Sequence, residues 1–93
     1  MGKEFHFDVS IAANLLTALS HPTRLQALKL LLEGERDVGT LAREMAVKQP
    51  SLSRHLGILR GLKLVSTRRD GATIYYICSV DGVRKMMVLL LRL

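Results

Sequence analysis

The chain has 93 residues, of which 48% are hydrophobic and 24% charged, and a formal net charge of +6. This length excludes a second module or a large catalytic cleft, so we expect a single domain over residues 1–93. The composition excludes disorder, and the single cysteine, Cys78, excludes an intrachain disulfide or a cysteine metal cluster. No apolar run is long enough to cross a bilayer and the N-terminus shows no signal pattern, which together predict a cytoplasmic protein.

The first half of the chain predicts three helices. Asp8 is a candidate N-cap for a first helix of about ten residues, and Pro22 fits the first position of a second helix, which Gly34 ends. Asp37 is a candidate N-cap for a short third helix over Val38–Met45. Apolar residues recur at helical spacing: Ile11, Leu15, Leu16 and Leu19 in the first helix, and Leu25, Leu28, Leu31 and Leu32 in the second.

A fourth helix is predicted from Gln49 to Leu62, after a tight turn over Ala46-Val47-Lys48. Its inward stripe is Leu52, Leu56 and Leu59, at spacings of four and three residues. The polar side chains on the other positions then face outward or lie toward the flank: Gln49, Ser51, Ser53, Arg54 and His55.

Two further elements follow. Asp70-Gly71 between the β-rich runs Leu64–Arg69 and Ala72–Ile77 predicts a β-hairpin, because Asp-Gly is a strong hairpin signal. Ser79 is a candidate cap for a last helix over Val80–Leu93. That helix has a broad apolar face, made by Val83, Met86, Met87, Leu90 and Leu91.

The apolar last helix predicts a partner. A helix of this kind buries its face against something, and the first helix of a second copy offers a matching surface, so we expect a homodimer. The alternatives are that the helix packs wholly within its own small core, or that the chain has been truncated there.

The excess positive charge is confined to one stretch. Residues 48–69 hold six basic side chains and no acid, whereas the rest of the chain holds eight of each sign. A localised basic stretch on a balanced protein is the electrostatic footprint of a phosphate-binding surface. The alternative is a solvated basic face without a ligand.

Two helices joined by a tight turn and followed by a basic hairpin have the layout of a winged helix-turn-helix. We therefore predict a mainly α fold of about five helices with a two-stranded wing, and double-stranded DNA as the partner. Gln49 has the geometry to pair with adenine and Arg54 with guanine, while Lys48 suits a phosphate. The predicted DNA-binding residues are Lys48, Gln49, Ser51, Ser53, Arg54, His55, Arg60, Arg68 and Arg69.

Three segments carry a resemblance to a known family: ALSHPTRLQALKLL, DVGTLAREMAVKQPSLSRHLGILRGLKLV and STRRDGATIYYI. Over roughly Ala12 to Ile77 the chain resembles the ArsR-type (arsenic repressor) family of bacterial winged-helix regulators, and within it the rhizobial nodulation-regulator branch. The resemblance implies a homodimer held by the first and last helices. It also implies repression of transcription at an inverted-repeat operator.

The chain departs from the metal-sensing members of that family. Where the founding members carry Cys-x-Cys, this sequence has Asp37 and Gly39, and after Asp81 the last helix has no His or Glu. Redox-sensing relatives need two cysteines, and Cys78 stands alone, most simply as a small core residue, with an intersubunit disulfide as the alternative. We therefore expect no metal, no cofactor and metal-independent binding.

The histidines are too far apart to form a metal-binding pair at helical spacing. His21 is expected to cap or pack a helix, and His55 to contact DNA or to be merely an exposed polar residue. An enzyme is not expected, because Ser53 and His55 diverge on a helix and no acid lies near them in the sequence. The remaining alternatives are a ligand- or redox-responsive sensor repressor of the same family and a winged-helix protein-interaction module.

Overall fold

The computed structural model describes residues 5–93. Within them lie five helices and three short strands: α1 Val9–Leu19, α2 Pro22–Glu33, β1 Arg36–Asp37, α3 Val38–Met45, α4 Gln49–Gly61, β2 Ser66–Asp70, β3 Thr73–Ile77 and α5 Asp81–Leu90. The predicted class, mainly helical with the hairpin of a winged helix-turn-helix, is confirmed. The prediction of one domain over 1–93 includes residues 1–4, which lie outside the described residues.

Three helices begin at the predicted residues, each with a side-chain cap. An oxygen of Asp8 accepts a hydrogen bond from the Ile11 amide at 3.0 Å, and an oxygen of Asp37 accepts one from the Thr40 amide at 3.2 Å. His21 caps α2 in the same way. These bonds satisfy amides that have no partner inside their helix, so the helix starts are set by local sequence.

The turn between α3 and α4 is closed by backbone hydrogen bonds. Ala46 has a φ of 56°, and the Val47 amide donates to the Ala42 carbonyl at 3.1 Å. This is the left-handed helix end at which glycine is the usual residue. The closed turn fixes the direction in which α4 leaves α3.

The core lies beneath α4. The inward-facing leucines of α4 are fully buried together with Leu28 of α2 and Leu41 of α3; they are Leu52, Leu56 and Leu59. Burial of each such leucine is worth about 1.5–3 kcal/mol. Because one side of α4 is held this firmly, its opposite edge faces out of the molecule, as the sequence predicts.

The sheet has three strands rather than the predicted two, in the order β1-β3-β2 with antiparallel pairing. Arg36 of β1 pairs with Tyr76, and two residues are too few for any sequence pattern to reveal a strand. The hairpin also turns one residue later than predicted. Asp70 pairs with Thr73, so the loop is Gly71-Ala72, and Gly71 takes the positive φ of 61° that this turn requires.

The last helix differs from its prediction at both ends. It begins at Asp81 after Val80, which makes no side-chain cap, so the predicted Ser79 cap is wrong. It ends at Leu90 rather than at Leu93. Val83 is buried and Met86 and Met87 are half-buried against the core, but Val88, Leu89 and Leu90 are exposed. No helix in the described part of the chain is long and apolar enough to span a membrane.

Candidate nucleic-acid interface

The outer edge of α4 carries the polar residues that the sequence analysis selects. Gln49, Ser53, Arg54 and Arg60 are exposed, and Ser51 is half-buried beside them. Within residues 5–93 neither arginine of this edge forms an ion pair. The edge therefore presents two uncompensated positive charges and several hydrogen-bonding groups to solvent.

The N-terminus of α4 is open. Lys48 occupies the N-cap position with no side-chain hydrogen bond, whereas α1, α2 and α3 are each capped by a side chain. The first-turn amides of α4 and the positive end of its dipole thus remain available, and Lys48 adds a further positive charge beside them. This arrangement suits a phosphate at the start of the helix.

The two arginines of the wing, the β2–β3 hairpin, are not equivalent. Nε of Arg68 lies 3.0 Å from both carboxylate oxygens of Glu35, and its guanidinium carbon is 4.6 Å from the centre of the Tyr75 ring. The hydrogen bonds from Arg68 hold the pKa of Glu35 below its ordinary value. Arg69 points to the other face of the hairpin, is exposed, and forms no ion pair within the described residues. Arg69 is therefore the wing arginine that has no acidic partner among residues 5–93.

A hollow of about 420 Å³ separates the wing from the start of α4. Gln49, Gly39, Thr73 and Ile74 are among the residues that line it. Gly39 lies close to Gln49, since a Cβ at Gly39 would be 3.7 Å from the Gln49 Oε1 atom. Gln49 therefore stands where α3, α4 and the wing converge.

His55 is half-buried rather than fully exposed. Its ring centre lies 4.4 Å from that of His21, and Nδ1 accepts a hydrogen bond from Nε of Arg24 at 3.2 Å. The prediction that His21 caps a helix is confirmed, because its Nδ1 accepts a hydrogen bond from the Thr23 amide at 3.2 Å. Whether His55 contacts DNA stays a prediction.

Sequence reasoning missed two residues that contact predicted site residues, Arg24 and Glu35. Arg24 is 31 positions from His55, and Glu35 is 33 positions from Arg68. No motif or periodicity connects residues so far apart, and only the folded chain brings them together.

Among residues 5–93, no group of three or more His, Cys, Asp or Glu side chains is placed to hold a metal ion. Asp37 is used as a helix cap. Cys78 is a buried free thiol whose pKa is raised by burial, which confirms it as a small core residue.

Residues 21–67, which contain α2, the helix-turn-helix and the start of the wing, match the family of bacterial regulatory proteins described as the arsR family. The chain belongs to the arsR family. As a member it is a winged-helix, DNA-binding transcriptional regulator and not an enzyme. The resemblance read from the sequence is thereby confirmed.

Curated relatives of this arsR-family regulator agree with that assignment. It is 48% identical over 84 residues to the nodulation protein NolR of Rhizobium meliloti, covering 90% of this chain and 69% of NolR. Identity to the biofilm growth-associated repressor of Xylella fastidiosa is 48% over 64 residues, covering 69% of this chain and 56% of that protein. Identity to the transcriptional activator HlyU of Vibrio cholerae is 42% over 91 residues, covering 98% and 84%.

Solved structures show the same fold. NolR from Sinorhizobium fredii superposes with a TM-score of 0.85 at 44% identity, covering 97% of this chain and 90% of that one. The transcriptional repressor BigR from Xylella fastidiosa superposes with a TM-score of 0.80 at 40% identity, covering 87% and 83%.

Proposed function

We propose that this regulator is a homodimeric, sequence-specific repressor that binds an inverted-repeat operator without a metal, in the cytoplasm of a bacterium. The observation that carries the proposal is the geometry of α4. Its apolar side is locked in the core while its polar edge, its open N-terminus and the wing share one surface. An α-helix supported in this way fits the major groove.

The proposed contact of each residue with DNA follows largely from its position along α4. Gln49 and Arg54 lie on the outward N-terminal half of the helix, where side chains reach base edges first, and each has the bidentate geometry for a purine. Ser51 and His55, which are half-buried beside them, make shorter-range polar contacts. The remaining predicted residues hold the DNA backbone: Lys48, Ser53, Arg60, Arg68 and Arg69.

Support for the homodimer comes from apolar side chains that the fold leaves uncovered on α1, on the second half of α5 and directly after α5. Ile11 is 69% exposed, Leu16 62%, Leu89 66% and Leu91 82%. So much exposed apolar surface on two helices is typical of an interface between subunits. A two-fold axis through this seam presents two copies of α4 to DNA, so the operator is an inverted repeat.

The proposal is tested by selecting duplexes from a random library with the purified protein and sequencing those that bind. We expect a motif of two inverted half-sites, about 10 base pairs from centre to centre. The double variant Gln49→Ala, Arg54→Ala serves as the matched control, and it should recover duplex without the motif. Flat recovery by the unmodified protein would contradict sequence-specific binding.

The sign of regulation needs its own measurement, because the relatives include proteins named as repressors and one named as an activator. The selected motif is placed across a promoter, and transcript is measured in vitro with increasing protein. We expect transcription to fall. An increase would make this regulator an activator.

A further inference from the structure

Three helices meet at the side chain of His55. Arg24 of α2 donates from Nε to Nδ1 of His55 at 3.2 Å, and its Nη1 donates to the Ala18 carbonyl in α1 at 2.7 Å. The ring of His21, at the start of α2, lies against the His55 ring at a tilt of 47°. The polar edge of α4 is thus tied to the α1–α2 junction through one imidazole.

The bond from Arg24 determines which tautomer His55 adopts. A guanidinium only donates, so Nδ1 of His55 must be unprotonated, and the single proton of the neutral ring is on Nε2. Protonating Nδ1 would place two donors face to face. The groups around the ring act in the same direction, since burial first, and then the charges of His21, Arg24 and Arg54, lower the pKa of His55.

The other nitrogen of the ring is left for a ligand. No buried side-chain nitrogen or oxygen of the described residues lacks a partner, so Nε2 reaches solvent or is bonded, and residues 5–93 offer it no acceptor. His55 follows Arg54 directly on α4, beside the edge to which DNA binding is assigned. Nε2 therefore carries a neutral N–H group that reaches solvent and has no acceptor among residues 5–93.

We propose that Arg24 is a positioning residue for DNA recognition, which selects the Nε2–H tautomer of His55 and holds that N–H as a neutral donor to an acceptor on the DNA. This inference rests on the proposed function of α4 as the recognition helix. A neutral donor releases no counterion, so the contact of His55 adds to affinity without adding to its salt dependence. That property separates His55 from Arg54 and Arg69.

The first test needs no DNA. Long-range proton–nitrogen NMR spectra of the imidazoles report the tautomer and the titration of His55. We expect a single Nε2–H form in the unmodified protein, a mixture of tautomers and a higher pKa in Arg24→Met, and recovery in Arg24→Lys, which retains a charged donor. An Nδ1–H form in the unmodified protein overturns the proposal, and that spectrum decides even if Arg24→Met does not fold.

The second test uses the duplex recovered from the random library. Arg24→Met and His55→Ala should each weaken binding about tenfold, and the double variant no further, because both act through one N–H group. The salt slope of His55→Ala should equal that of the unmodified protein. Lys29→Met, which removes an exposed charge from the same helix as Arg24, is the control and should bind normally.

Proton dependence completes the test. We expect any change of affinity with pH to occur at a higher pH in Arg24→Met than in the unmodified protein, because the charge of Arg24 is one of the causes that lower the pKa of His55. If the affinity losses of Arg24→Met and His55→Ala add up in the double variant, the proposal is overturned. Failure of the unmodified protein to select any motif would instead refute the proposed function, while the NMR result would still decide the role of Arg24.

Discussion

The molecule has a basic face and an apolar face, and they are supported very differently. The basic face, formed by the outer edge of α4 and by the wing, stands on α4, which buries three leucines in the core. The apolar face, formed by α1 and the second half of α5, belongs to helices that bury one residue each, Leu19 and Val83. The difference teaches that the core of a single chain supports the basic face, whereas it leaves most of the apolar face uncovered, and the proposed second copy would cover it.

The largest effect is expected on the apolar face. Leu89→Glu places a charge in the proposed dimer seam, which should cost about 3–5 kcal/mol of dimer stability and lower operator affinity more than about 100-fold. Sedimentation equilibrium should show a folded monomer. Leu89 is a better test position than Met87, which packs against the core of its own chain.

Ser10→Glu is the matched control for the seam, because Ser10 is exposed on α1 and tolerates an acid in the first helical turn. It should remain dimeric. A Leu89→Glu protein that is dimeric and binds normally would place the interface elsewhere.

The next largest effect is expected at Gln49 and Arg54, the residues of the basic face that are proposed to read bases. Arg54→Ala or Gln49→Ala should cost about 1–3 kcal/mol on the selected operator and much less on scrambled duplex. Fluorescence anisotropy at one salt concentration measures both. Equal losses on the two duplexes would show that these side chains hold phosphate rather than read bases.

Within the basic face, we expect the two wing arginines to contribute differently to the salt dependence of DNA binding. Arg69→Ala should reduce the slope of log affinity against log salt by about one, whereas Arg68→Ala should reduce it less because Glu35 already compensates that charge. Glu35→Gln should strengthen binding to any duplex and steepen the slope. Equal effects of the two arginine variants would show that the pair with Glu35 opens on DNA.

A smaller effect is expected in the turn that supports the basic face. Ala46 holds a left-handed conformation, so Ala46→Gly should raise the free energy of unfolding by about 0.5–1 kcal/mol. Operator affinity should not change. Ala13→Gly, in the exposed interior of α1, is the opposite control and should lower stability by about 1 kcal/mol in urea unfolding.

Metal ions should not change the affinity of the protein for its operator. Zinc, cadmium, nickel or arsenite at stoichiometric amounts should leave operator affinity unchanged, since coupling requires a site whose occupancy differs between two states. Asp37, which replaces a ligand position of the founding members, has both carboxylate oxygens bonded to Thr40. Calorimetry that finds tight metal binding together with release of DNA would contradict this expectation.

Local features of the chain determined most of the fold. Capping residues and leucine spacing act over three or four positions, so the starts of α1, α2 and α3 and the inward stripe of α4 were predictable. The hairpin was predictable for the same reason, although its loop was displaced by one residue. The last helix was predicted less well, because no side chain caps its start.

Sequence alone also located the excess positive charge and the residues of the candidate interface, since both depend only on order along the chain. The tertiary structure decided which of those charges are free. It paired Arg68 with Glu35, oriented His55 through Arg24, and added β1 to the edge of the sheet. These contacts join residues that are more than 30 positions apart, and their energies depend on distances that only the packed core sets.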